Sequence, residues 1–335
     1  MAAARAIAAF TVHGGRIGLA RAAFAVDADW IDLSTGISPW AYPARIDPAD
    51  LHQLPDPAGL VALETAAAAV FGSDPAQTIA VPGSDIGLRL VGALAGAQRP
   101  AVLGPGYSGH LAMWSAPQMV DALVTAGHDA LVLARPGNPD GMIVDRQQLG
   151  VAARELAAKD GWLIVDEAYA DAGGEPSIAA ERWPATIVLR SLGKFFGLAG
   201  VRLGFVIAPP PLAGRLRRML GDWPVSGPAI TIGTAAYADT PWQAGQRTRM
   251  TGMAAEVTAL LAAAGLTPVG GTSCFTLVET GDAAALFTHL AEHAILTRPF
   301  ADNPHRLRIG LPPDAQGLAR LASALQTAPQ SRPPT

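Results

Sequence analysis

The stretch Ser191-Leu192-Gly193-Lys194-Phe195-Phe196-Gly197-Leu198-Ala199-Gly200-Val201-Arg202-Leu203-Gly204 links two short apolar runs, Thr186–Leu189 and Leu203–Ile207. Lys194 is one of two lysines in 335 residues; the other, Lys159, stands beside Asp160 in a polar segment. Nearly every other cation is arginine. Arginine cannot lose its proton and so cannot form an imine, whereas lysine can where a site lowers its pKa. A lysine set between a serine three residues earlier and an arginine eight residues later, in a glycine-rich apolar setting, suggests a Schiff-base lysine. A coding bias towards arginine would also make lysine rare, so the neighbours have to decide.

Outward from this stretch, short apolar runs alternate with alanine-rich segments. Thr78–Val81, Ala101–Leu103, Ala130–Leu133, Leu163–Val165, Thr186–Leu189 and Leu203–Ile207 are four or five residues or fewer, β-branched or aliphatic, and read as strands. Gly59–Phe71, Leu88–Ala95, Val151–Lys159 and Arg249–Ala264 read as helices, and Asp145 followed by Gln148 predicts a capping box before the third. Strands alternating with helices imply an α/β fold with a mostly parallel sheet covered on both faces. After the first five strands come Pro82-Gly83-Ser84-Asp85, Gly104-Pro105-Gly106-Tyr107-Ser108-Gly109-His110, Arg135-Pro136-Gly137-Asn138-Pro139-Asp140-Gly141, Asp166-Glu167-Ala168-Tyr169 and Arg190-Ser191-Leu192-Gly193-Lys194. Polar groups thus gather at carboxyl ends of strands, where open α/β sheets bind ligands.

Half the residues are hydrophobic and 16% charged, enough for one large α/β domain with a smaller partner. A net charge of −4 gives no basic footprint for nucleic acid. The single Cys274 excludes an internal disulfide and a multi-cysteine zinc site, and fits a reducing cytoplasm. Met1–Phe10 lacks the apolar run and cleavage pattern of a signal peptide, and no membrane span is expected. Ala328–Thr335 reads as a frayed tail.

Together these loops resemble the class I/II aminotransferase-like family of fold-type I pyridoxal-phosphate enzymes, from about residue 13 to 325. The resemblance implies pyridoxal 5'-phosphate as cofactor, with a small C-terminal α+β domain beside the mostly parallel sheet. It implies an N-terminal arm over residues 1–30 contributing to the small domain, a large cofactor-binding domain over 31–225, a small domain over 226–328, and a tail over 329–335. Lys194 matches the lysine that carries the cofactor. Asp166 matches the aspartate facing the pyridine nitrogen, which must stay protonated to draw electrons from the substrate. Tyr169 and Asn138 match the contacts to the phenolic oxygen; the family's second asparagine is Pro136 here. Tyr107 matches the stacking aromatic, and His110 a histidine that supports the pyridine-facing aspartate in some members. For the phosphate, Ser84 and Asp85 open a helix with free N–H groups, Ser191 brings a hydroxyl and Arg202 a guanidinium. Arg308, in Leu307-Arg308-Ile309-Gly310, matches the arginine for the substrate carboxylate, and Arg298 is a second candidate. The family's tyrosine that reaches a partner subunit's cofactor phosphate is Leu54 here, though a homodimer is still implied.

Gly104-Pro105-Gly106-Tyr107-Ser108-Gly109 also satisfies a dinucleotide-binding pattern, with Asp129 about 20 residues on. That reading leaves Asp166, Ser191, Lys194 and Arg202 unexplained. Five further stretches narrow the resemblance: His13-Gly14-Gly15, Ile31 to Trp40, Leu54-Pro55-Asp56-Pro57, Pro139-Asp140-Gly141 and Trp223 to Pro228. They are similar to the branch of the family that decarboxylates L-threonine O-3-phosphate in cobalamin biosynthesis. In that branch His13, Ser34 and Arg298 are candidates for the substrate phosphate. A histidinol-phosphate-type aminotransferase shares every cofactor residue and stays open as an alternative, as does a non-catalytic binding module.

Overall fold

The computed structural model describes residues 7–173 and 175–329. The first six residues of the alanine-rich start, and the tail from residue 330, lie outside the described residues. The chain divides into two compact units, Ala41–Gly245 and the segments on either side of it, through Trp40 and from Gln246. The division therefore falls at residues 40 and 245 rather than at 30 and 225. Residues 226–238 stay with the larger unit because the helix Gly227–Ala238 packs on the helix Pro57–Phe71.

The larger unit holds a seven-stranded sheet in the order Thr78–Val81, Gly204–Ile207, Thr186–Ser191, Trp162–Asp166, Ala130–Ala134, Pro100–Leu103, Gln118–Val120. Only Gly204–Ile207 runs against its neighbours. The strand beyond it is turned back again, so the five strands with polar carboxyl ends all point to one edge. Gln118–Val120 escapes sequence reading because it is three residues long and half exposed. The central strands are continuous apolar runs because helices cover both faces. Ile79, Val102, Val132, Ile164, Ile187 and Val206 are all buried in one cluster, each worth about 1.5–3 kcal/mol when fully buried.

The helix ends follow local chemistry. The Asp56 carboxylate accepts from the Ala58 amide at 2.8 Å, Pro57 sits at the first position, and Gly72 closes the helix with left-handed φ 68. Asp145 accepts from the Gln147 and Gln148 amides and starts the helix Arg146–Ala157. The helix expected from Leu88 begins at Ser84 instead. Gly87 does not break it, because its bare Cα lets the helix rest on the sheet: a Cβ there would meet Val206 at 3.0 Å and Val81 at 3.2 Å. The helix expected from Arg249 begins at Thr240, capped by Asp239, which accepts from the Trp242 amide at 3.0 Å. Its polar first turns hide the apolar period.

The smaller unit carries an antiparallel sheet in the order Arg298–Pro299, Arg306–Gly310, Phe275–Glu279, Thr267–Thr272. Ile31–Asp32 pairs in parallel with Ile295–Leu296. The Gly310 amide donates to the Leu33 carbonyl at 2.7 Å, which stitches the segment after Asp32 to the strand carrying Arg308. Among the described residues no helix is long and apolar enough to cross a membrane.

Candidate active site

In the larger unit the polar loops at the sheet's carboxyl edge carry every residue singled out for the cofactor. Asp166 ends the central strand and is buried. One oxygen faces His110 Nε2 at 2.9 Å, and the other accepts from the Ala168 amide at 3.0 Å. His110 is itself fully buried, so this carboxylate is held from behind in a fixed direction. Tyr169 is buried, and Lys194 Nζ lies 5.6 Å from its ring centroid. Asn138, also buried, lies in the loop after Ala130–Ala134.

The anion cradle is built from the start of the helix Ser84–Ala95. Gly83 precedes it with φ 95, and no side chain caps its first amides. The Arg202 guanidinium takes the space beside Gly83: a Cβ there would stand 2.6 Å from Nη2. Arg202 adopts left-handed φ 56 and donates to the Ala199 carbonyl at 3.1 Å. Gly204 allows this approach, since a Cβ on it would meet the Ser84 nitrogen at 2.5 Å. Free helix amides and a fixed guanidinium at one point make a site for a phosphate. The buried Ser191 hydroxyl accepts from the Gly193 amide at 3.3 Å. Asp85 contributes its backbone to the helix start, while its carboxylate accepts from the Tyr107 hydroxyl at 3.2 Å and from Arg89 Nε at 3.3 Å. It therefore holds the aromatic ring. The dinucleotide reading of this loop finds only a four-residue helix, Ser108–Leu111, after the glycines.

In the smaller unit, Arg298 and Arg308 are direct partners across antiparallel strands and both are buried. Opposite residues in such a ladder project to the same face. Arg308 donates to the Ser34 carbonyl at 2.6 Å and lies over the Phe275 ring at 4.8 Å. Arg298 donates to the Val12 carbonyl at 3.0 Å and lies 5.2 Å from the Phe300 ring centroid. His13, the next residue after Val12, is exposed. Ser34 is buried; its hydroxyl donates to Asp32 at 2.5 Å and accepts from the Gly15 amide at 2.9 Å. These two bonds commit the Ser34 hydroxyl to the fold, so Ser34 positions the Gly14-Gly15 turn rather than gripping a phosphate. Sequence reading did not single out Asp32, Phe275 or Phe300. Asp32 stands two residues before Ser34, a spacing at which an aspartate bonds its own chain, and that was the available signal.

Comparison with known proteins fits this geometry. The pattern of the family described as aminotransferase class I and II matches residues 40–325. This chain belongs to that family, the pyridoxal-phosphate enzymes its loops resemble. It is 41% identical over 329 residues to the threonine-phosphate decarboxylase of Sinorhizobium sp, covering 94% of this chain and 97% of that one. It is 36% identical over 324 residues to the threonine-phosphate decarboxylase of Pseudomonas aeruginosa, covering 93% and 96%. Its fold is similar to that of a histidinol-phosphate aminotransferase from Sinorhizobium meliloti solved with pyridoxal-5'-phosphate. There the TM-score is 0.81 at 22% identity, over 92% of this chain and 93% of that one.

The residues present fit this cofactor. The cradle of Gly83, Ser84 and Arg202 suits its phosphate, the buried Asp166 backed by His110 suits a protonated ring nitrogen, and Lys194 suits its aldehyde.

Proposed function

We propose that this enzyme decarboxylates L-threonine O-3-phosphate to (R)-1-aminopropan-2-yl phosphate, using pyridoxal 5'-phosphate, and so supplies the linker of the corrinoid in cobalamin biosynthesis. The observation that carries the substrate side is the cross-strand pair of buried arginines, Arg298 and Arg308. Two guanidiniums on one face favour a molecule with two acidic groups. The near-full-length likeness to two threonine-phosphate decarboxylases supports the same reading.

When bound, the cofactor supplies the electron sink that accepts the pair left as the carboxylate departs. Asp166 keeps the proton on its ring nitrogen, oriented by His110. Ser84, Ser191 and Arg202 hold its phosphate. Tyr107, tethered by Asp85, stacks on its ring, and Asn138 and Tyr169 contact its phenolic oxygen. Lys194 would hold it through its aldehyde, and the Lys194 Nζ would be the acid that returns a proton to Cα. Arg308 grips the carboxylate, Arg298 and His13 the substrate phosphate. Binding energy from the remote phosphate orients the Cα–carboxylate bond perpendicular to the ring, which is what separates decarboxylation from transamination.

Location and assembly follow from the same reading. The enzyme works in the cytoplasm, which suits Cys274, the chain's single cysteine, buried and in no internal disulfide. It is a homodimer: Leu51, Leu54 and Val61 are apolar and 69%, 69% and 62% exposed along one segment. Leu54 meets the partner through apolar contact where the family's tyrosine would donate a hydrogen bond. Sedimentation of the purified protein tests the dimer.

The activity is tested by incubating enzyme, cofactor and threonine phosphate without a keto acid. Carbon dioxide and aminopropanol phosphate are expected. Reaction only when 2-oxoglutarate is added would replace this reading with a histidinol-phosphate-type aminotransferase. Cofactor binding with neither reaction would leave a binding module.

A further inference from the structure

A second set of charges is buried on the other face of the strand ends that carry the cofactor residues. Asp166 is in register with Leu189, and neighbouring residues of parallel strands in register share a face. Asp166, Leu189 and Ser191 therefore point one way, and Glu167 and Arg190 the other. Glu167, Arg190 and Asp171 are 0%, 3% and 3% exposed. The Glu167 carboxylate accepts from the Ile178 amide at 2.8 Å, the Ser177 hydroxyl at 2.5 Å and Arg190 Nη1 at 2.9 Å. Arg190 Nη2 donates to Asp171, and its guanidinium lies 4.4 Å from the Phe71 ring centroid. Burial works against the Arg190 charge, but Asp171 and Glu167 outweigh it and hold its pKa above the usual value. Burial and Asp171 likewise push the Tyr237 hydroxyl well above its ordinary range, so it stays neutral beside the cluster.

Such a cluster is a poor source of stability, since desolvation cancels much of the attraction and an apolar core of equal volume does as well. Its placement points to a different use. The sheet's ladder between these two strands ends at the Glu167 amide, which donates to the Leu189 carbonyl at 2.9 Å. Past that point the ion pair Glu167–Arg190 links the two strand ends. Each member is next to a cofactor residue: Glu167 follows Asp166, Arg190 precedes Ser191, and Asp171 is two residues from Tyr169.

We propose that Glu167, Arg190 and Asp171 form a clamp of positioning residues that fixes the separation between Asp166 and Ser191. The clamp tunes the site to a ligand that engages the ring-nitrogen and phosphate ends at once. The inference rests on the cofactor reading above. Misplacing one end forfeits the advantage that the phosphate gives.

The test compares apoprotein affinity for pyridoxal phosphate with that for pyridoxal, which lacks the phosphate, in the full chain and in Glu167→Gln, Arg190→Lys and Ser177→Ala. Thermal unfolding of each is recorded alongside. Ser177→Ala removes one donor to Glu167 and no charge, so it keeps the test alive if a charge variant fails to fold. In Glu167→Gln and Arg190→Lys the preference for pyridoxal phosphate over pyridoxal is expected to shrink roughly tenfold, the scale at which outer residues tune an inner site. Ser177→Ala shrinks it less, in the same direction. Lowered unfolding temperatures with the wild-type preference intact would overturn the clamp. A wild-type chain that binds no pyridoxal phosphate would instead overturn the cofactor reading.

Discussion

Arg298 and Arg308 stand directly opposite each other across antiparallel strands, both buried, with their side chains on the same face. Like charges so placed repel, and burial adds desolvation. Backbone carbonyls of Ser34 and Val12 and the rings of Phe275 and Phe300 soften this cost. A doubly anionic ligand reverses its sign. Charge-assisted bonds contribute about 1.5–3 kcal/mol each, so Arg308→Ala is expected to raise KM for threonine phosphate by roughly 10–100-fold. Arg298→Ala should do the same, and an unchanged KM there would remove Arg298 from the phosphate. Neither variant should alter affinity for pyridoxal phosphate, whose candidate residues all lie in Ala41–Gly245.

The cradle gives a second prediction. A methyl on Gly83 would press against Arg202 at 2.6 Å and impose a side chain on φ 95. Strain of that kind costs on the order of 1–3 kcal/mol, and here it also displaces the guanidinium. Gly83→Ala should weaken pyridoxal phosphate binding by about tenfold or more, measured by titrating apoprotein. Pyridoxal, with no phosphate to lose, should bind nearly as before. Arg202→Lys should fall between, because it keeps the charge and loses the planar fork.

Asp166 and Lys194 separate charge from attachment. Asp166→Asn keeps an oxygen for the Ala168 amide and a partner for His110, but removes the negative charge. It should still bind pyridoxal phosphate and be yellow with it bound, while kcat falls on the order of 100-fold or more, the usual loss of one electrostatic partner. Lys194→Ala should remove both colour and turnover. A colourless Asp166→Asn would mean that the carboxylate is needed for binding itself.

The large unit was legible because its strands are short apolar runs ending in polar loops, and the fold gathers those loops at one edge of the sheet. Asp166, Ser191 and Arg202 stand where chain order and residue type put them. What stayed hidden depends on contacts between distant segments. Gly87 reads as a helix breaker until Val206 and Val81 are seen packed under it. Arg190 reads only as one more polar residue after the strand Thr186–Leu189 until Glu167 and Asp171 enclose it. Ser34 reads as a free hydroxyl, and only the fold commits it to Asp32 and Gly15.

That commitment yields the last prediction. Ser34 is a hub within the smaller unit: its hydroxyl joins Asp32 to the Gly15 amide, and its carbonyl receives Arg308. Gly14 lies so close to the Ser34 carbonyl that a Cβ there would overlap it. Ser34→Ala leaves the carbonyl and removes both hydroxyl bonds. The part-buried Asp32 carboxylate keeps the Ser34 amide at 2.8 Å, so the change costs the two hydroxyl bonds, about 0.5–1.5 kcal/mol each. The His13-Gly14-Gly15 segment loosens first, so KM for threonine phosphate should rise several-fold while kcat holds. Ser34→Thr, which restores the hydroxyl, should recover part of the loss. A Ser34→Ala enzyme with wild-type KM would show that the hydroxyl does not support this segment.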